Sequence, residues 1–285
     1  MQRPLLPILL TAVLVFAGYA AFVQLAPFTV PTGQSQGDTN MIRAQDYLAV
    51  QDQVTTVLVG SSLTFRLPAS ELGPQTANLA VAGGGSLTGL QIVRDSGGRP
   101  RLVLVEVNVV SRGVDQDFVR SLLRFPERAL RTRFRVFRTG YDPVNLAWRG
   151  MATLLNKADF TPVPPPDIVR QLTLVQQQDL SKNPNLALLR ANLAAMARLV
   201  AQLQARGIQV GFFEMPTDPS LKDLLGEVVP RREAAALFPS DRFCWLHLEV
   251  PGGAHTLDGI HLSVEDAALV AHQIKTQASA CQTSR

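Results

Sequence analysis

The sequence predicts an α/β protein: a mainly parallel sheet with helices on both faces, a three-layer α/β/α arrangement, preceded by one N-terminal transmembrane helix. Three observations lead there. Short runs rich in Val, Ile, Leu and Phe alternate with helix-like segments from residue 51 onward, and strands alternating with helices imply a parallel sheet covered on both sides. One run, 101–110 (RLVLVEVNVV), is apolar at nearly every position, as a strand buried on both faces is. Residues 5–26 (LLPILLTAVLVFAGYAAFVQLA) carry no charge and are long enough to span a bilayer core.

Taken in chain order, residues 1–26 are expected to be a membrane anchor or signal segment. Arg3 precedes the apolar run, so the short terminus should stay cytoplasmic and the remainder should lie outside. The localisation expected is an inner membrane, single pass, with the domain periplasmic or otherwise extracytoplasmic. A cleaved signal peptide ending near Gly18-Tyr19-Ala20 is the competing reading, and it exports the domain equally. Residues 27–50 read as a linker, because 27–45 is rich in Pro, Gly, Thr and Gln.

Residues 51–285 are expected to form the main domain. Strands are predicted at 54–59, 76–81, 101–110, 208–215 and 243–250. Helices are predicted from Ser86, over 185–206 and from about Ser263. In the second of these Leu189, Leu193, Met196, Val200 and Leu203 recur at spacings of three and four, and Gly207 can close it. Residues 111–185 read as an insertion after the third strand, forming a lobe near the site or the membrane. It carries a recurrent arginine: Arg112, Arg120, Arg124, Arg128, Arg131, Arg133, Arg135 and Arg138. That is a solvated helix face, or a contact for anionic lipid or a partner. Residues 163–167 (VPPPD) should be extended.

Composition removes some classes. A net charge of +4 on 285 residues, with only 6% aromatics, lacks the dense basic stripe and the stacking platforms of a nucleic-acid binder. No His, Cys or carboxylate cluster has metal-ligand spacing, so no metal or cofactor is expected. Cys244 and Cys281 could bridge in an oxidising compartment, but sequence separation leaves that open.

Four motifs carry chemistry. Residues 57–65 (VLVGSSLTF) run a buried strand into Gly60-Ser61-Ser62 and a helix start. A serine there exposes its hydroxyl near helix N–H groups, although a tight turn with a Ser cap has the same look. Residues 78–86 (NLAVAGGGS) place three glycines after a strand, where backbone can approach a ligand; no Lys-Ser/Thr follows to make a phosphate loop. Glu106-Val107-Asn108 ends the apolar strand with an amide at the same surface. Asp258-Gly259-Ile260-His261 lets a turn bring a carboxylate onto imidazole Nδ1, leaving Nε2 as a base.

In that order the motifs resemble the SGNH (GDSL-like) hydrolase superfamily, over about 54–278 with the insertion unmatched. The resemblance implies a flavodoxin-like sheet, Ser62 as nucleophile, and Asp258 and His261 completing the triad. It implies an oxyanion hole from the N–H groups of Ser62 and Gly83 and the Asn108 amide. Two positions depart from the family: Ser61 stands for the Asp of Gly-Asp-Ser, and Glu106 for the Gly of Gly-x-Asn-Asp. Ser61, Glu106, Glu214 and His255 are expected near the pocket. The Gly-Ser-Ser form resembles membrane-anchored members that acylate cell-surface polymers. The expected function is therefore a tethered serine esterase or O-acetyltransferase acting on acyl esters of an exopolysaccharide such as cellulose. Its expected partner is a membrane-bound O-acyltransferase or polysaccharide synthase. A lipase or thioesterase of the same fold, and a non-catalytic binding module, are the rivals.

Overall fold

A computed structural model describes residues 5–30, 32–154 and 164–283. The chain divides into two compact units, 1–49 with 120–160, and 50–119 with 161–285. The interruption of the larger unit is therefore narrower than the expected insertion, and it groups with the N-terminal segment.

In the smaller unit, α1 (Leu5–Leu25) is apolar along its whole length and exposes all but a few side chains. It is long and apolar enough to cross a membrane. Arg3, which set the expected orientation, lies outside the described residues. The expected linker is not loose throughout: α2 (Gln36–Val50) buries Ile42, Ala44, Tyr47 and Leu48. The sequence 120–154 adds the end of α6 (Gln116–Leu123), then α7 (Glu127–Arg133), two 3₁₀ turns (Arg135–Phe137 and Thr139–Tyr141) and α8 (Pro143–Leu154). Gln45 bonds Thr139 through both ends of its amide, tying α2 to the second turn.

The larger unit is built on β1 (Thr56–Val59), β2 (Thr76–Asn78), β3 (Leu102–Glu106), β4 (Gln209–Phe213) and β5 (Cys244–Leu246). All pairings are parallel and the order is β2-β1-β3-β4-β5. Each expected strand is present, shorter than its apolar run. Every residue of β1 and β3 is buried. Successive side chains of a strand point to opposite faces, so both faces of the sheet are covered there. The remaining helices are α3 (Ser62–Phe65), α4 (Ala69–Leu72), α5 (Ser86–Ser96), α9 (Pro166–Leu180), α10 (Leu186–Gln204), α11 (Leu225–Leu237) and α12 (Val264–Thr283). α10 buries all five residues that set its periodicity and packs against α5 and β4. α12 lays Val270, Ala271 and Ile274 into a cluster with Leu102, Leu104 and Phe213. Within the expected extended run, Pro166 and Asp167 instead open α9; residue 163 lies outside the described residues.

The edge strand β5 is held to α12 in two ways. Cys244 and Cys281 are disulfide-bonded with Cα atoms 5.6 Å apart. Beyond the strand, Gln277 takes both backbone groups of His247, and Gln273 takes both of Glu249. Two glutamines four apart on a helix thus reach alternate residues of the extended chain and satisfy an otherwise open edge.

The strand order places a topological switch between β1 and β3, since the chain goes outward to β2 and returns on the other side of β1. Ligand crevices in such sheets open beyond the carboxyl ends of the two strands at the switch. Those ends are Val59-Gly60 and Val105-Glu106, which lie side by side in the β1–β3 pairing.

Candidate active site at the carboxyl edge of the sheet

Gly60 follows β1 and the chain turns at once into α3. Ser61 caps that helix, its Oγ accepting from the Leu63 N–H at 3.2 Å. Ser62, the next residue, is partly exposed. From the far end of the sequence, the turn before α12 closes with an isolated antiparallel bridge, Thr256 to Leu262. Gly259, at φ +96°, takes the left-handed conformation that a tight reversal needs. Asp258 Oδ1 accepts from the backbone N–H groups of Ile260 and His261, at 3.2 and 2.8 Å. Its Oδ2 lies 2.6 Å from His261 Nδ1. His261 Nε2 lies 2.9 Å from Ser62 Oγ, across 199 residues of sequence.

These contacts fix the tautomer by elimination. A carboxylate can only accept, so Nδ1 carries the hydrogen and Nε2 is the acceptor facing the hydroxyl. Burial pushes the Asp258 carboxyl up. The bonds from His261 and from the His261 and Ile260 N–H groups outweigh it and hold the group below the usual carboxylate range. It is therefore an anion at neutral pH, placed to stabilise an imidazolium.

Glu106 has a different position from the one expected. It is fully buried beneath the turn and does not line a pocket. Its Oε2 accepts from Ser61 N at 2.8 Å, Thr64 N at 3.3 Å and Thr64 Oγ1 at 2.6 Å. Its Oε1 accepts from Ser61 Oγ at 2.7 Å. Ser61 is likewise fully buried and spends its hydroxyl on this carboxylate and on the cap, so it too leaves the expected pocket. The two adjacent serines of the turn are thereby separated: Ser61 faces Glu106 and Ser62 faces His261. Gly60 is required for the approach, since a Cβ there would stand 2.5 Å from both Glu106 Oε2 and Thr64 Oγ1. Sequence reasoning missed this role, although a lone acid in the run RLVLVEVNVV was a signal, because a buried carboxylate must find donors.

The remaining expected residues divide. Gly83 is exposed at φ +77° in a loop that runs alongside β1, where Leu79 N bonds Leu58 O and Val81 N bonds Gly60 O. Among the described residues the Gly83 N–H has no partner. Asn108 takes the Met215 N–H on Oδ1 at 2.7 Å and gives one Nδ2 hydrogen to Met215 O at 3.0 Å. An amide has two such hydrogens, so one remains. Glu214 is ion-paired with Arg231 of α11 at 2.6 Å and is not among the residues lining the adjoining cavity. His255 is 79% exposed beside Asp266 and also stands outside it.

That cavity holds about 370 Å³ and begins at Leu63, Asn108 and Ile260, neighbours in sequence or strand of the Ser62–His261 pair. Half of its wall carries hydrogen-bonding side chains: Asn108, Ser111, Arg112, Gln176, Asp179, Lys182, Asn183, Asn185 and Glu227. Burial pushes the Glu227 carboxyl up to about 7; Arg231 pulls it down, while Glu214 and Glu106 add to the rise. Among the described residues no three His, Cys, Asp or Glu side chains gather into a metal-holding group. Comparison with protein-family models, with curated proteins and with solved structures found no match.

Proposed function

We propose that this chain is a membrane-tethered serine esterase or O-acyltransferase of the SGNH type, with the superfamily's three-layer sheet arrangement. Its proposed substrates are acyl esters, chiefly acetyl, of an extracytoplasmic polysaccharide. The observation that carries the reading is the unbroken chain Ser62 Oγ, His261 Nε2, His261 Nδ1, Asp258 Oδ2, with links of 2.9 and 2.6 Å. As Ser62 Oγ bonds to the ester carbonyl carbon, its proton passes to His261 Nε2. Asp258 stabilises the imidazolium. The oxyanion is assigned to the Ser62 and Gly83 N–H groups and the second Asn108 hydrogen, each worth about 3 kcal/mol of barrier. His261 then protonates the departing sugar oxygen as the C–O bond breaks. Water, or a hydroxyl of a second sugar, then gives its proton to His261 as its oxygen bonds to the acyl carbon, and His261 passes that proton to Ser62 Oγ as the acyl–Oγ bond breaks.

The two departures from the superfamily pattern compensate for each other in this reading. The carboxylate lost from Gly-Asp-Ser is supplied by Glu106 from the next strand, at a position where the family has no side chain. Together with the intact Ser62–His261–Asp258 chain, this counts against a degenerate binding module. Half of the residues in the cavity wall offer hydrogen bonds that sugar hydroxyls can use, and the other half are mostly apolar and can take the acyl group. The disulfide, together with the apolar N-terminal helix, favours an exported domain on an inner-membrane anchor. A membrane-bound O-acyltransferase or polysaccharide synthase would then supply or receive the acyl group.

The test is hydrolysis of p-nitrophenyl acetate by wild type, Ser62→Ala and Ser61→Ala. Ser62→Ala should lose about 10⁴-fold or more in kcat. Ser61→Ala should keep measurable turnover, because its hydroxyl faces Glu106. Equal activity in all three variants would retire the triad.

A further inference from the structure

We propose that the lobe between residues 120 and 151 is itself a membrane-docking surface, reaching from the headgroup layer into the acyl region of an anionic bilayer. The proposal rests on the reading of α1 as a retained transmembrane helix and adds a second, sequence-distant contact with the same membrane. α1 fixes the depth. Phe16 lies nine residues before the helix's end at Leu25, about 14 Å along the axis at 1.5 Å per residue. The 21 residues of the helix rise about 32 Å, so a hydrocarbon core about 30 Å thick has that level near its middle. The Phe137 ring lies 6.2 Å from the Phe16 ring. One helical turn higher, Tyr19 Oη donates to Tyr141 O at 2.6 Å. At the helix end, Arg135 N bonds Gln24 Oε1 at 3.1 Å and its guanidinium bonds Ala26 O at 2.7 Å. The lobe is thereby held with an aromatic ring at acyl depth and a guanidinium at headgroup height.

The lobe's surface matches that position. Between 120 and 151 the chain carries eight arginines against two carboxylates, Glu127 and Asp142. Arg131 and Arg135 donate to the backbone carbonyls of Ser121 and Ala26; the carboxylates that feel them, Glu127 and Asp46, are shared with Arg124 and Arg138, so positive charge stays in excess. Phe125 is 83% exposed, and Phe134 and Trp148 are about half exposed. Phe125 borders a shallow cavity of about 570 Å³ with Arg128 and Arg133 on its walls. Aromatic side chains beside guanidiniums are the composition of an interfacial membrane contact, where rings enter the acyl boundary and cations meet phosphate.

The two cysteines of the chain are bonded to each other, so one added thiol can be labelled alone. The full chain is placed in nanodiscs of phosphatidylcholine, with or without phosphatidylglycerol. An environment-sensitive fluorophore is attached in Phe125→Cys or, separately, in Leu14→Cys. Quenching by acyl-labelled lipid and by aqueous iodide is then compared. The label at 125 should be quenched by lipid and shielded from iodide, more so with phosphatidylglycerol. Arg131→Glu with Arg133→Glu should shift the docked-to-undocked ratio at least about fivefold, since each surface charge acts on that scale. A label at 125 open to iodide, with the label at 14 quenched by lipid, overturns the docked lobe and leaves the anchor standing. Iodide access at both positions overturns the anchor as well. Lipid quenching at 125 that ignores phosphatidylglycerol and the arginine reversals overturns the anionic-lipid assignment.

Discussion

Replacing Glu106 by Gln probes the turn that carries Ser62 without touching the triad. The carboxylate accepts four hydrogen bonds in a fully buried site. The amide has two placements. With its NH₂ at the Oε2 position, two donors would face the Ser61 and Thr64 N–H groups, leaving both unsatisfied at about 1–3 kcal/mol each. With its NH₂ at the Oε1 position, the three Oε2 bonds survive and Ser61 Oγ must turn from donor to acceptor. The second placement costs less and should prevail. Its cost is the loss of charge assistance on three bonds, about 1 kcal/mol each, partly offset by the remade bond, or about 2–3 kcal/mol in sum. A domain of this size should then melt about 5–10 °C lower and still fold. Ser62 sits between two residues whose backbone this network holds. Misplacement of a nucleophile by about 1 Å costs on the order of 10²-fold, so kcat for p-nitrophenyl acetate should fall about 10- to 100-fold. KM and the shape of the pH–rate profile should stay, since His261 and Asp258 are untouched. Wild-type kcat and an unchanged melting temperature in Glu106→Gln would refute the idea that the buried acid positions the nucleophile.

Two further outcomes follow from the packing. Glu227 has a folded-state pKa of about 7 in a nearly buried position. The folded protein therefore keeps a proton that the unfolded chain releases near pH 4.5. The associated stability is complete below that pH and is lost as the pH rises to about 7, on the order of 3 kcal/mol in all. Urea midpoints of wild type should fall between about pH 5 and pH 8 more steeply than those of Glu227→Gln; parallel slopes would remove Glu227 as the cause. Reducing the Cys244–Cys281 bond opens a loop with a sequence separation of 37, worth about 4 kcal/mol by loop-closure entropy. Dithiothreitol should lower the urea midpoint of the protein accordingly, and two titratable thiols with an unshifted midpoint would contradict that estimate.

Much of this architecture was legible because its signals are local. β3 announces itself by an apolar run that only a doubly covered strand tolerates, and α10 by five apolar residues at spacings of three and four that are all buried. The Asp258–His261 contact was legible too, because a three-residue spacing with a glycine inside it nearly dictates a closed turn. What stayed hidden depends on register between distant strands. That Gly60 lies opposite Glu106 follows only from the pairing of β1 with β3, so Glu106 read as a pocket residue when it is a support. Gln273 and Gln277 look like ordinary polar positions of a terminal helix until the chain beyond β5 is laid against them. The expected linker hid its helix, 36–50, because the helix has few apolar residues of its own and is tied through Gln45 to Thr139, 94 residues away in the chain.

The same distinction bears on how the site is made. In a doubly wound sheet the crevice at the switch point is given by strand order, and side chains reaching it come from whichever loops end there. Ser62 arrives on β1's loop, Asn108 on β3's, and His261 on the last turn before α12. None of these loops can hold the geometry alone, since each is a few residues of irregular chain. Glu106 solves this for the first loop by anchoring Ser61 and Thr64, on either side of Ser62, to the central strand. Asn108 does so for the second by bonding both backbone groups of Met215 just beyond β4. Asp258 does so for the third by taking two N–H groups of its own turn. Each loop at the sheet edge is thus braced by one polar side chain that spends its bonds on backbone. Asp258 alone has an oxygen left over to hold the imidazole, which is why a single residue there can serve both the fold and the proposed chemistry.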